Sequence, residues 1–192
     1  MQKVIVLFAL ANDVKGEKVW LDIGPNSKKR IDDLIAAVPV PDDCTRVVMF
    51  AAGTDAAHGL GKSMAELCAA YFDAKYARSK ALVLVNTSNK TVWGTDSEII
   101  WGVGEVVKMC CSGEYQVEFY FGTQRRHMPR VKWIVKKRFP SVRAHFVVTN
   151  QTKEIPWWRE AVSWAKLYLG DGVIGTLVQK LRRSVPDSFS RG

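Results

Sequence analysis

The chain has 192 residues, of which 47% are hydrophobic, and its 28 basic against 19 acidic side chains leave a formal charge of +9. A chain this long can withdraw roughly 70% of its unfolded surface from water, so neither disulfides nor metal are needed to hold a core. Disorder, collagen-like repetition and a disulfide-knotted miniprotein do not fit, and a single globular domain over residues 1–192 is expected.

Lys3 precedes the apolar run Val4 to Ala11, in which Ala9 and Ala11 mimic a signal-peptide cleavage site. Cleavage there would leave an apolar stretch shorter than the ~7 to 15 residues a signal peptide uses, and the run is too short to span a membrane. It reads instead as a buried first strand, with a cytoplasmic location and no transmembrane segment. Four more strands follow from the apolar, β-branched runs Val47 to Ala51, Ala81 to Val85, Val117 to Phe121 and Phe146 to Val148.

Between the strands, apolar residues return every three or four positions, which predicts amphipathic helices. The first carries Ile31, Leu34, Ile35 and Val38, and the second Met64, Leu67, Cys68, Tyr71 and Phe72. The third carries Ile99, Val103, Val106 and Val107, and the fourth Val131, Ile134, Val135 and Phe139. Ser63 with Glu66 and Thr95 with Glu98 have capping-box spacing, and Pro129 suits a first helical turn. A fifth helix follows Pro156, with Trp157, Ala161, Trp164, Ala165 and Tyr168 on one side; a short helix over Val173 to Leu181 precedes a polar tail.

Strict alternation of strand and helix implies parallel pairing through right-handed crossovers. The expected fold is therefore a three-layer Rossmann-like α/β domain, an open parallel sheet of about five strands flanked by helices. Ligands of such sheets lie beyond the carboxyl ends of the strands. The loops there begin at Asn12, Gly53, Asn86, Thr123 and Thr149. For the strand order 3-2-1-4-5 the crevice opens between strands one and four, with Asn12 facing Thr123 and His127.

Charge is uneven along the chain. Residues 1–96 carry 12 basic and 11 acidic side chains, whereas residues 97–192 carry 16 and 8. The stretch Gln124 to Arg143 has no acidic residue at all. A solvated helix face accounts for Lys132, Lys136, Lys137 and Arg138. Arg125, Arg126 and Arg130 stand at or just before the helix start, where the macrodipole disfavours cations unless an anion is bound. Arg supplies bidentate hydrogen bonds to such an anion, and exposed helix N–H groups would add to them. A small anionic ligand is the partner this arrangement suggests.

Two other readings use parts of the same chain. The basic helix, with tryptophans as stacking surfaces, would suit nucleic acid, although no recognition motif accompanies it. Ala56 to Ser63 resembles a Walker A loop with Ala in place of the first Gly, which would make the chain a degenerate P-loop nucleotide hydrolase. That chemistry also needs an acid at the end of a later strand to hold magnesium, yet strand three ends at Asn86 and strand four at Gly122. Cys44, Cys68, Cys110 and Cys111 form no CxxC pair, and with His58, His127 and His145 they give no zinc spacing, so reduced thiols and no metal are expected.

The most informative segment runs from Phe119 to Arg130: a strand, the hydroxyl residue Thr123, then His127-Met128-Pro129-Arg130 opening a basic helix. This pattern resembles the YdcF, SanA and ElyC family, a bacterial domain family of undefined activity. Arg30, Ala52-Gly53, Ser63 with Glu66, Thr95 with Glu98, and Trp158 to Ala161 occur in the same order, so the resemblance covers roughly residues 3 to 169. It implies an α/β pocket for a nucleotide-like or S-adenosylmethionine-like ligand, with some relatives linked to envelope biology.

The candidate binding residues are Asn12, Gly53, Ser63, Thr95, Thr123, Arg126, His127 and Arg130. For hydrolysis or transfer on the bound molecule, proton transfer would fall to His127, Glu66 and Glu98. A histidine titrates near neutrality, and neighbouring arginines favour its neutral form.

Overall fold

Val4 to Leu10 is apolar at every position because the first strand has no solvent face. In a computed structural model of the chain, which describes residues 2–10, 23–52, 63–87, 94–111, 114–150 and 156–169, all seven of these side chains are buried. The strand is β1 (Gln2–Ala9), and a run buried on both faces is what a central parallel strand produces. Its companions are β2 (Thr45–Phe50), β3 (Ala81–Val85), β4 (Tyr115–Thr123) and β5 (Arg143–Val148). β4 and β5 begin before the apolar runs that mark them, because apolar runs trace only the fully buried part of a strand; the first residues of β5 alternate between exposed and half-buried.

The sheet is parallel throughout, in the order β3-β2-β1-β4-β5. From β1 the chain winds outward through β2 to β3, then returns across the sheet to β4 and β5. The topological switch therefore lies between β1 and β4, where Leu10 N–H donates to Gly122 O at 3.2 Å.

Helices cover both faces. α1 (Pro25–Ala37) and α2 (Met64–Tyr76) bring Ile31, Leu34, Cys68 and Phe72 against Ile5, Leu7, Val48 and Phe50. α3 (Thr95–Met109) lies on the other face, where a Cβ on Gly102 would come within 2.5 Å of Met49 Sδ and 2.7 Å of the Phe8 ring. Glycine is what permits so close an approach. α4 (Met128–Arg138) shares that face: Lys132 lies over the Phe146 ring, Phe146 stacks on Phe121, and Phe121 meets Phe8. Fully burying an aromatic such as Phe8 or Phe121 contributes on the order of 2–3 kcal/mol. The three-layer α/β architecture is thus in place.

The chain divides into two compact units, residues 1–154 and 155–192. In the second, α5 (Trp157–Leu169) stacks Trp164 on Tyr168 one turn later, with ring centroids 5.8 Å apart, while Trp157 and Trp158 are exposed. The helix expected over Val173 to Leu181 lies outside the described residues. Among the described residues no helix is long and apolar enough to cross a membrane.

Candidate functional site

The switch between β1 and β4 collects the first turns of helices from both layers. Thr95 opens α3 and His127 caps α4, and Thr95 Oγ1 lies 2.9 Å from His127 Nε2. On the far side of the ring, an Arg130 Nη is 2.8 Å from His127 Nδ1. A guanidinium only donates, so Nδ1 must accept and the ring proton sits on Nε2, from which it is donated to Thr95. His127 is therefore neutral and held in one tautomer, and the Thr95 hydroxyl proton points away from the ring.

Beside this row lies a buried charge group drawn from both helical layers. Arg30 of α1 is 1% exposed, and Glu98 of α3 is 8% exposed. Burial pushes the Glu98 carboxyl up to about 7, against the downward pull of Arg30 and Arg130. Burial likewise lowers Arg30 to about 10, with Glu98 and then Cys68 acting in the opposite direction. Asn26, Ser27, Gln124 and Thr149 are also buried at strand ends or first turns of this unit. Thr123 Oγ1 and Thr149 Oγ1 have no hydrogen-bond partner among the described residues. A buried hydroxyl left unbonded costs stability, and such groups mark places where a bound molecule can complete the bonding.

The expected residues are not all gathered here. Ser63 and Glu66 form a complete capping box at α2: Glu66 N–H donates to Ser63 Oγ at 3.0 Å, and Ser63 N–H donates to Glu66 Oε2 at 2.6 Å. Ser63 Oγ also donates to Asn86 O at 3.4 Å. The hydroxyl that a P-loop would place on magnesium is thus occupied by the helix it caps. Arg126 is exposed in the turn before α4. Asn12 and Gly53 lie outside the described residues, as does the Walker-like loop up to Lys62.

Two expectations are corrected. The spacing of Thr95 and Glu98 predicts a capping box, but Gly94 is the N-cap of α3 and no side chain caps it. With φ of +101°, Gly94 occupies backbone space that side-chain-bearing residues avoid, which leaves Thr95 and Glu98 inside the helix and facing the crevice. Second, the start of α4 does not offer free N–H groups to an anion. His127 and Met128 N–H both donate to Gln124 O at 3.1 Å, Arg130 N–H donates to His127 O at 3.2 Å, and Pro129 has no N–H. An anion at Met128 to Arg130 must therefore be held by side chains.

Sequence reasoning set Arg30 among the pieces of the family resemblance, not among the ligand-binding candidates, and passed over Asn26, Ser27 and Gln124. Their one local signal was position, in the first turns and loops at the carboxyl edge. On the basic helix, Lys137 lies over the Trp133 ring, 4.5 Å from its centroid, and Arg138 pairs with Asp96 at 3.3 Å. Among the described residues, no group of three or more His, Cys, Asp or Glu side chains could hold a metal ion. No family model, curated protein or solved structure matches the chain.

Proposed function

We propose that the chain binds a small phosphate-bearing or nucleotide-like molecule, with an S-adenosylmethionine-like ligand in the same class, in the crevice between β1 and β4. The observation that carries this reading is the row Thr95, His127, Arg130, set beside the buried Arg30 and Glu98 at the topological switch of the sheet. Thr123 supports it, because its buried hydroxyl is unbonded at the end of β4. The resemblance to the YdcF, SanA and ElyC family fits the same place, since Thr123, His127, Met128 and Arg130 span that strand end and helix start. Envelope-linked function and a cytoplasmic location belong to this reading as proposals. Catalysis on the ligand, if it occurs there, would use His127 and Glu98; Glu66 is taken up by its cap.

The test is thermal unfolding with AMP, S-adenosylmethionine and sulfate added separately. A ligand at about a hundred times its Kd adds about 2.7 kcal/mol, which shifts Tm by roughly 5 to 10 °C for a chain of this size. Arg130→Ala should fold and lose the shift. A shift that survives Arg130→Ala, or no shift with any of the three, would count against the site.

A further inference from the structure

The two edges of the sheet are built differently. β5 carries Arg143 and His145, both exposed, and such side chains on an edge strand discourage pairing with another chain. β3 has no such guard. Its five residues, Ala81 to Val85, are all apolar, no bulge interrupts its register on β2, and among the described residues β2 is its one strand neighbour. Val83 and Val85 pack toward α1 and α2, so Leu82 and Leu84 face the α3 side, where Leu82 is 45% exposed. Charge follows the same division. Residues 63–111, which hold α2, β3 and α3, carry five basic and five acidic side chains, whereas residues 112–150 carry eight and two. A chain of charge +9 resists meeting its own copy most on the basic side and least across the neutral one.

We propose that β3 pairs with the β3 of a second copy of this chain, antiparallel about a two-fold axis at Val83, so that two five-stranded sheets join into one of ten. The outward N–H and C=O groups of an edge strand are a template for such pairing. In this register the strand is complementary to itself, as a two-fold interface requires. Leu82 meets the second copy's Leu84, Ala81 meets its Val85, and Val83 meets its own counterpart, so every cross-strand pair is apolar. Lys80, just before the strand, falls opposite Asn86 and not opposite another lysine. The inference is independent of the ligand-binding reading, because β2 and β1 separate this edge from the crevice.

Sedimentation equilibrium of the full chain tests the pairing. The weight-average mass should rise with concentration from that of one chain, 21.5 kDa, toward twice that value. Leu82→Lys should weaken the dimer at least about tenfold, because the new ammonium loses water against the second copy's Leu84. Val148→Lys, at a similarly exposed position on β5, should leave the curve of mass against concentration unchanged. Amide exchange of the unaltered chain, followed at low and high concentration, should show slowing centred on β3. That measurement decides alone if Leu82→Lys does not fold. A mass that stays at 21.5 kDa throughout overturns the proposal, whether the edge takes another protein, another segment of this chain or nothing. A dimer that survives Leu82→Lys, or that Val148→Lys breaks, overturns it as well, because the contact then lies elsewhere.

Discussion

The starts of α2 and α3 carry the same pattern of residue types, a hydroxyl residue followed three positions later by glutamate, and use it in opposite ways. At α2 the extended backbone of Ser63 itself lets its side chain fold back over the first turn, and Ser63 and Glu66 satisfy N–H groups of the helix start. At α3 the left-handed Gly94 occupies the cap position, so Thr95 and Glu98 are drawn one residue into the helix and turned to the crevice. A capping box is therefore decided by which residue the backbone places at the cap position. The same pattern closes a helix start in one place and leaves two buried side chains near His127 and Arg30 in the other.

The largest effect that separates the two is the pH dependence of stability. The folded-state Glu98 carboxyl is raised to about 7 from an ordinary 4.5, so the unfolded chain releases this proton first as pH rises. Stability is lost progressively between about pH 4.5 and 7, by an amount on the order of 3 kcal/mol. Glu98→Gln should match the wild type near pH 4 and be the more stable protein at pH 8, measured by urea unfolding across that range. A variant curve parallel to the wild type at every pH would remove Glu98 from the buried charge group.

Next comes the glycine that sets the two helices apart. Gly94→Ala meets no atom within 4 Å of the added Cβ, so its cost is purely that of the backbone, roughly 1–3 kcal/mol for this region. Denaturant unfolding measures it, and a neutral result would mean that α3 can begin without the positive φ. Ser63→Ala should cost about 1 kcal/mol by loss of the cap, while the thermal shift with AMP or sulfate stays intact. A lost shift would place Ser63 in the site as well as in the cap. The smallest change is expected for Glu66→Gln, a few tenths of a kcal/mol, because glutamine also serves in a capping box.

Much of this architecture was legible in the amino-acid order. A run such as Val4 to Leu10 has no polar position because no face of β1 meets water, and the returning pattern of Val131, Ile134 and Val135 marks the buried side of α4. The cluster around His127 was legible in part, since a hydroxyl residue, a histidine and an arginine at a strand end leave few alternatives. Arg30 was not legible as a site residue. An arginine one position before the apolar Ile31 reads as a helix flank, and Glu98, whose charge acts on it, belongs to a helix on the opposite face of the sheet. Thr95 misled for a related reason: residue types name a capping pair, but the dihedral angles of Gly94 decide whether it forms.

That Arg30 and Glu98 sense each other at all means the two helical layers communicate around the rim of the sheet. A molecule seated between them would fasten together two parts of the fold that otherwise touch opposite sides of the same strands. Its departure would loosen both at once, so local opening of α1 and α3 should be a shared event, seen as amide protons of the two helices exchanging in concert.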